Sequence, residues 1–199
     1  MNAPIRLTNV VAGAELSTRL DLPKLTHFLS VNLPQYKSIK HRLVHPQTLA
    51  IVLKYKNVGL WHRRQHRVTA LVYPSGQLTV CGARSVEEAL EEAKKMVEVC
   101  ARFAHLTTIP PVRIKTITAM TSFPRGTHSP RLEQVKAQWS RFASLEPEIF
   151  NGLVLHFSGS VKLILFHSFR CIIAGARSVV EAESAAAELA RVLISGSDV

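Results

Sequence analysis

Residues 81–93 read CGARSVEEALEEA and residues 174–186 read AGARSVVEAESAA, so one short motif occurs twice in the chain. Each copy ends an apolar, strand-like run and begins a helix-like one. A glutamate follows each serine, Ser85 and Ser178, by three residues, which is the pattern of a capping box at a helix N-terminus. The copies lie 93 residues apart in a chain of 199. We therefore expect two repeats, each passing from strand to helix at Gly-Ala-Arg-Ser.

The segments around the two copies follow the same order. In the first half we predict strands over residues 5–16, 47–55, 67–73 and 77–83, a short strand near 38–44, and helices over 20–31 and from Ser85 onward. In the second half we predict strands over 112–120, 151–157, 161–166 and 170–176, and helices over 129–142 and after Ser178. Pro110–Pro111 marks the break. The predicted repeats are residues 5–105 and 106–195, each read as β-α-β-β-β-β-α and together one domain.

One face of the predicted sheet has no element to cover it. Short connections imply antiparallel pairing, and four amphipathic helices cover one face. On the strand 67–73, Leu71 and Tyr73 point to one side and Ala70 and Val72 to the other, so both sides are apolar. An antiparallel sheet wetted on one side should be polar there. The residues leave two interpretations open: a covered face or dimer interface, or a functional apolar face.

The composition indicates an anionic partner. The formal net charge is +11, and the pI is about 10.1. Residues 1–105 hold 15 Lys and Arg against 7 Asp and Glu, whereas residues 106–199 hold 10 against 7. Nucleic acid is the leading candidate partner for such a balance. No apolar run is long enough to predict a membrane span, and no signal-peptide segment is predicted at the N-terminus.

The cysteines indicate the redox compartment, and the missing enzyme motifs restrict the class of protein. Three scattered cysteines favour a reducing compartment over a disulfide framework or a zinc ribbon. The sequence carries no Gly-rich phosphate loop, HExxH motif or persuasive Cys/His/Asp grouping. We therefore expect neither an enzyme nor a bound cofactor or metal.

Two longer stretches resemble the TATA-box-binding protein family. Residues 69–89, TALVYPSGQLTVCGARSVEEA, are similar to its strand–turn–strand–Gly-Ala junction, and residues 144–155, SLEPEIFNGLVL, are similar to its Glu-Pro-Glu-Leu-Phe-Pro-Gly-Leu segment. The resemblance covers about residues 5–194. It implies an α+β saddle, in which two pseudo-symmetric repeats form a curved ten-stranded antiparallel sheet with four helices on the convex face. It also implies that the concave face binds double-stranded promoter DNA in the minor groove and wedges apolar side chains between base steps, the mechanism for which this family is the standard example.

The resemblance implies a set of DNA-contacting positions. Phe150 and Phe166 stand where the family has wedging phenylalanines, and Leu49 and Tyr73 stand in those places in the first repeat. The full set is Asn9, Val11, Leu49, Arg67, Leu71, Tyr73, Thr79, Cys81, Arg84, Thr116, Thr118, Phe150, Ile164, Phe166, Ile172, Ala174 and Arg177.

Some members of this set depart from the family pattern. Asn9 matches a base-contacting asparagine, whereas Thr116 replaces its second-repeat counterpart. Cys81 and Ala174 replace threonines that face the groove. The arginines 67, 84 and 177 keep phosphate-contacting positions, and Ser160 replaces another family arginine. These departures predict a divergent member with relaxed or altered TATA specificity.

Three residues are candidates for a protein contact. Glu146, Glu148 and Ile149 stand where the family meets transcription factor IIB, so the resemblance implies a partner of that type. The structural alternative is an acidic turn before a strand. A transcription factor IIA-type partner is left open, but the helix after Ser85 is acidic where the family's partner-binding helix is basic.

The first repeat also carries eight extra residues, in the predicted hairpin Lys56–Arg67. Trp61, Arg63 and Arg64 in this hairpin suit nucleic acid or an acidic partner, while a solvated hairpin tip is the alternative. His62 and His66 lack the helix pattern and acidic co-ligand of a metal site.

Three functions remain after these observations. The first is a nuclear transcription initiation factor. The second is a protein-interaction scaffold that keeps the saddle without bending DNA. The third, disfavoured by the lack of a catalytic extension, is a nucleic-acid-binding module of a nuclease. A dimer that covers the apolar face in the absence of DNA is left open.

Overall fold

The computed structural model describes residues 4–32, 36–45, 48–55, 68–125 and 129–195. These residues form ten strands and four helices. In chain order they are β1 (Arg6–Glu15), α1 (Leu22–Asn32), β2 (Tyr36–His45), β3 (Thr48–Tyr55), β4 (Thr69–Val72), β5 (Gln77–Ala83), α2 (Val86–Phe103), β6 (Arg113–Ser122), α3 (Leu132–Gln138), β7 (Ala143–Glu146), β8 (Phe150–His156), β9 (Lys162–Phe166), β10 (Arg170–Ala176) and α4 (Val179–Ser195).

The chain divides into two compact units. The first unit is residues 9–115, and the second unit is residues 1–8 together with 116–199. The strands of the first unit follow the order β2-β3-β4-β5-β1, and those of the second follow β6-β10-β9-β8-β7. Every neighbouring pair recorded within each unit is antiparallel. The two units therefore have the same strand order, as the repeat predicts.

In the first unit, alternation along the strands turns one face toward the helices. Ile51 in β3 pairs with Val72, and Leu78 in β5 also pairs with Val72; all three are buried. Leu25 of α1 and Met96 of α2 are buried as well, and the rings of Phe28 and Phe103 join these two helices at a centroid distance of 5.4 Å. Burial of this kind contributes about 1.5–3 kcal/mol for each large apolar side chain.

The second unit has the same kind of core. Leu153, Leu163 and Ile173 of β8, β9 and β10 are fully buried, as is Leu189 of α4. Trp139, just after α3, is also buried, and its indole N–H donates to the carbonyl of His156 at 2.9 Å. This hydrogen bond holds the end of α3 against β8.

The two Gly-Ala-Arg-Ser junctions have the same geometry. In each, the serine hydroxyl (Ser85 or Ser178) accepts from the N–H of the glutamate three residues on, at 3.1 Å. Each glutamate carboxylate accepts from the N–H of the arginine before the cap, at 2.8 Å. The predicted serine caps are confirmed, with the carboxylate bonded one residue earlier than a standard capping box requires.

The glycine of each junction has a conformational reason. Gly82 and Gly175 have φ of 95° and 88°, a region that residues with a Cβ rarely adopt. A Cβ on Gly175 would also lie 2.2 Å from the carbonyl oxygen of Ser160. The motif is therefore repeated because both strand-to-helix passages need this backbone.

Two predicted elements differ from the structure in the second unit. The helix expected over 129–142 is only Leu132–Gln138, because Trp139 leaves the helix with an extended ψ of 118° and turns its ring into the core. The residues Ala143–Glu146 then form β7, an edge strand that the residue pattern did not predict. In the first unit, the short strand near 38–44 is a ten-residue strand.

Candidate nucleic-acid interface

The face opposite the helices is open in the second unit. Its side chains form a cross-strand row in which Val154 pairs with Ile164, Ile164 with Ile172, and Ile172 with Met120. All four are half-buried, whereas their neighbours Leu155, Leu165 and Ile173 along the strands are buried. Among the described residues, no helix covers this row. The apolar open face expected from the strand pattern is therefore present.

Two phenylalanines lie at one end of this row. The rings of Phe150 and Phe166 meet edge to face, with a centroid distance of 6.0 Å. Phe150 lies over Gly152, which pairs with Phe166; a Cβ on Gly152 would lie 2.6 Å from Cε1 of Phe150. Phe150 is still 43% exposed. An aromatic pair of this kind offers a ring face to a ligand without first unpacking the core.

The open face of the first unit is more polar. Val52 pairs with Leu71, Leu71 with Thr79, and Thr79 with Gly13. Leu71 and Thr79 are half-buried, as are Tyr73 and Cys81 farther along the same strands. The predicted positions on β4 and β5 thus lie together on one face, next to Asn9 and Val11 of β1.

Lys115 of β6 lies across Gly13, which leaves space for its side chain. Its ammonium group donates to Thr79 Oγ1 at 3.0 Å and to the carbonyl of Leu78 at 3.3 Å. Burial lowers the pKa of Lys115, and the charge of Glu15 partly raises it again. Sequence reasoning missed Lys115; its signal was a cation near the start of β6 that is flanked directly by an apolar residue, Ile114, and a hydroxyl-bearing one, Thr116.

Asn9 is half-buried, and its side-chain oxygen is already engaged. Oδ1 accepts from the N–H of Gly82 at 2.7 Å, which ties β1 to the Gly-Ala junction of β5. The amide NH2 of Asn9 makes no hydrogen bond to the described residues. In the second unit, Thr116 and Thr118 are half-buried, and the Thr118 carbonyl accepts from the hydroxyl of Thr8 at 3.1 Å.

Cys81 and Ala174, the replacements for the groove-facing threonines, are both half-buried. The Cys81 thiol lies 3.6 Å from the carbonyl of Thr69, and burial raises its pKa. It is therefore a neutral thiol and a weak hydrogen-bond donor, while Ala174 offers no polar group at all.

The candidate phosphate contacts are only partly described. Arg84 and Arg177 are exposed at the two junctions, and neither guanidinium makes an ion pair with a described residue. Arg67 and the rest of the hairpin Lys56–Arg67 lie outside the described residues, and so does the side chain of Leu49.

Any DNA contact by Leu49 remains a prediction, because its side chain lies outside the described residues.

The candidate partner residues lie on a tight turn between β7 and β8. The N–H of Ile149 donates to the carbonyl of Glu146 at 2.9 Å, which closes the turn. The Glu146 carboxylate accepts from the hydroxyl of Ser144 at 3.0 Å, while Glu148 is exposed. Ile149 is 81% exposed. An exposed apolar side chain of this size on the same turn as two glutamates is typical of a contact surface.

Two further findings concern the described residues as a whole. They contain no group of three or more His, Cys, Asp and Glu side chains arranged to hold a metal ion. None of their helices is both long and apolar enough to cross a membrane.

Comparison with known protein families shows the family to which the chain belongs. The sequence profile of transcription factor TFIID, or TATA-binding protein (TBP), matches residues 4–103 and 111–195. The chain belongs to the TBP family. This family is one of transcription factors and not of enzymes. The profile matches the chain in two segments, and each of them contains one Gly-Ala-Arg-Ser junction.

Individual relatives agree with the family. The chain is 25% identical over 174 residues to a TATA-box-binding protein of Tetrahymena thermophila, covering 87% of this chain and 63% of the relative. It is 29% identical over 175 residues to TATA box-binding protein-like 2 of Rattus norvegicus, covering 86% and 44%, and 27% identical over 174 residues to TATA-box-binding protein 1 of Triticum aestivum, covering 86% and 65%. The chain thus spans about half to two thirds of the length of these relatives.

A solved structure shows the same fold. The Methanococcus jannaschii TBP matches with a TM-score of 0.64 and 21% sequence identity, covering 96% of this chain and 98% of that one. The predicted α+β fold of the TBP family, with its two β-α-β-β-β-β-α repeats, is confirmed. At such low identities, the chain is a divergent member of the family.

Proposed function

We propose that this chain is a transcription initiation factor that binds promoter DNA in the minor groove through the open faces of its sheet. The observation that carries the proposal is the apolar row from Val154 to Met120, which ends at the exposed pair of Phe150 and Phe166. Such a face is costly in water but complementary to unstacked bases, and an inserted phenylalanine can occupy a base step.

The charge of the chain supports the same conclusion. A net charge of +11 and the exposed, unpaired guanidinium groups of Arg84 and Arg177 suit a polyanion. The relatives carry the names of TATA-box-binding proteins and come from a ciliate, a rat and a wheat, so we place the function in the nucleus.

Fluorescence energy transfer between the ends of a labelled duplex tests this function. We expect the wild-type protein to bend the duplex, with an affinity that falls steeply as salt rises. In the double variant Phe150→Ala/Phe166→Ala, we expect loss of bending and an affinity reduced about tenfold or more, because each ring that stacks on a base contributes about 1–3 kcal/mol. Val180→Ala, which truncates an exposed apolar side chain of α4, is the matched control and should behave as wild type.

The alternative function, a protein-interaction scaffold, makes a different prediction. A scaffold that has lost DNA bending would give no change in energy transfer with either the wild-type protein or the double variant. That result would reject the DNA-bending proposal and leave the contact turn as the functional surface.

We further propose that sequence readout is relaxed. Cys81 and Ala174 give the groove a weak donor and no donor, respectively, where hydroxyl groups would otherwise stand. Competition among TATA-containing, other A·T-rich and G·C-rich duplexes measures the effect. We expect the first two to compete within a few-fold of each other, and a strong preference for TATA alone would overturn this part of the proposal.

The turn with Glu146, Glu148 and Ile149 is our proposed contact for a transcription factor IIB-type partner. The turn is closed by its own hydrogen bond, so its three side chains are presented without support from a neighbouring element. We expect Glu146→Lys/Glu148→Lys to reduce partner capture in a pulldown at least tenfold while DNA affinity stays within about twofold. Glu183→Lys on the exposed surface of α4 is the charge-matched control. Unchanged capture by the turn variant would remove the assignment.

A further inference from the structure

The ammonium group of Lys115 is held over the open face of the first unit instead of extending into solvent. Gly13 provides the space, because a Cβ there would lie 2.8 Å from Cε of Lys115. The ammonium donates to Thr79 Oγ1 and to the Leu78 carbonyl, which uses two of its three N–H groups. Holding the lysine side chain in one conformation costs conformational entropy, and these contacts select that conformation out of many.

This lysine sets the hydrogen-bonding character of its neighbour. Because the Thr79 oxygen accepts from Lys115, the hydroxyl hydrogen of Thr79 remains available to donate. Asn9, on the same face, accepts from the N–H of Gly82 with its side-chain oxygen, and both hydrogens of its NH2 group stay unused within the described structure. Each of these three side chains therefore keeps at least one N–H or O–H hydrogen that is unused within the described structure and can be donated to a ligand.

We propose that Lys115 is a specificity-determining residue that selects A·T over G·C pairs at the step lying against Gly13 and Thr79. The inference rests on the proposed minor-groove function. In the minor groove, A·T and T·A pairs offer only the acceptors adenine N3 and thymine O2, which match donors on the protein. A G·C pair keeps two acceptors, guanine N3 and cytosine O2, but adds the guanine N2 amino group, a donor that would face the ammonium donor of Lys115.

The same chemistry explains how readout can be relaxed without being lost. A donor set satisfied by N3 and O2 alike does not distinguish A·T from T·A. The minor groove of A·T-rich DNA is also narrow and strongly negative, which favours an inserted cation. Lys115 thus selects base-pair type without selecting the order of bases.

Inosine isolates this effect, because an I·C pair is a G·C pair without the guanine amino group. A single G·C or I·C pair is moved through an A·T-rich duplex, and affinities are measured by fluorescence anisotropy for the wild type, Lys115→Met, Lys115→Gln and the control Lys94→Met, which changes an exposed lysine of α2. For the wild type and the control, we expect one position at which G·C weakens binding about tenfold and I·C restores it. At that position, Lys115→Met should lose most of the difference between G·C and I·C. Lys115→Gln should lose it as well, because its amide oxygen can accept from the guanine amino group.

The outcomes separate this inference from the function on which it rests. If both Lys115 variants fold, bind duplex DNA and keep the full difference between G·C and I·C, Lys115 is only a structural bridge between β6 and β5, and the inference fails while the proposed function stands. If the wild type binds none of the duplexes, both fail. Lys115→Gln keeps a donor for Thr79, so it serves as the test should Lys115→Met not fold.

Discussion

The two units cover a glycine of the open face in different ways. In the second unit the ring of Phe150 lies over Gly152, and in the first unit the stem of Lys115 lies over Gly13. Both glycines sit in antiparallel ladders with the same strand order. The Phe150 ring packs edge to face against Phe166, whereas the Lys115 ammonium group donates a hydrogen bond to Thr79.

This difference shows that the backbone and the open face are under separate constraints. Both Gly-Ala-Arg-Ser junctions form the same hydrogen bonds at the same distances, so the fold is repeated closely. The side chains that point away from the helices differ between the units, although the junctions do not. One unit thus presents an aromatic pair on its open face, and the other presents polar groups.

The largest expected effect distinguishes the two covered glycines. In Gly13→Ala the new Cβ would lie 2.2 Å from the backbone carbonyl of Leu78, so the strands must shift, and we expect a loss of about 3 kcal/mol in the free energy of unfolding. In Gly152→Ala the nearest atoms belong to the side chains of Phe150 and Ile164, which can move. We expect a loss of about 1 kcal/mol there.

Urea unfolding of the two glycine variants measures both values, provided that the slope with urea stays unchanged. Equal losses would mean that the Phe150 ring is held as firmly as backbone. That result would contradict our expectation that the side chains above Gly152 can move, whereas the backbone next to Gly13 cannot.

An intermediate effect concerns the buried thiols, of which each unit holds one. Burial raises the pKa of Cys100 in α2 and of Cys171 in β10 from 9.0 to about 12. In the unfolded chain these thiols therefore ionise at a lower pH than in the folded protein. Their contribution to the free energy of unfolding is fully present below pH 9 and is lost as the pH rises from 9 towards 12. At pH 10 each thiol should account for a loss of roughly 1–2 kcal/mol in the free energy of unfolding relative to neutral pH.

Cys100→Ala and Cys171→Ala should each make the stability difference between pH 7 and pH 10 smaller by a similar amount, whatever their effect on stability at pH 7. Thermal or urea unfolding at the two pH values measures it. Cys81 is only half-buried, so Cys81→Ala should change this difference less. A Cys81 effect as large as the other two would contradict the ranking by burial.

The smallest expected effect concerns the serine caps, whose geometry is the same in the two units. Ser85→Ala and Ser178→Ala each remove a 3.1 Å capping hydrogen bond, so each should cost about 1 kcal/mol. Because the geometry is the same, the two losses should agree within about 0.5 kcal/mol. Ser184→Ala, on the exposed side of α4, should cost nothing in the same urea measurement. Clearly unequal losses at the caps would show that the repeat is less symmetric than its hydrogen bonds.

Much of the fold could be predicted because its signals are local. The bounds of β5 and β10 agree with the predicted strands 77–83 and 170–176, where apolar runs end at a glycine. The strand β7 could not be predicted: Ala143–Glu146 has no alternating pattern of its own and becomes a strand by pairing with the edge of β8. The predicted aromatic pair could be placed from the resemblance, but the contribution of Gly152 beneath it could not.

The sequence by itself determined the twofold repeat, the serine-capped junctions and the basic charge. It also determined that the sheet face opposite the helices is apolar. Each of these depends on residues near one another in the chain or on composition. Only the tertiary structure decided that the Lys115 side chain lies across Gly13 and donates to Thr79, and that the Asn9 side-chain oxygen accepts from Gly82. Those facts depend on which strands become neighbours and in which register, and side-chain chemistry alone does not specify a partner tens of residues away.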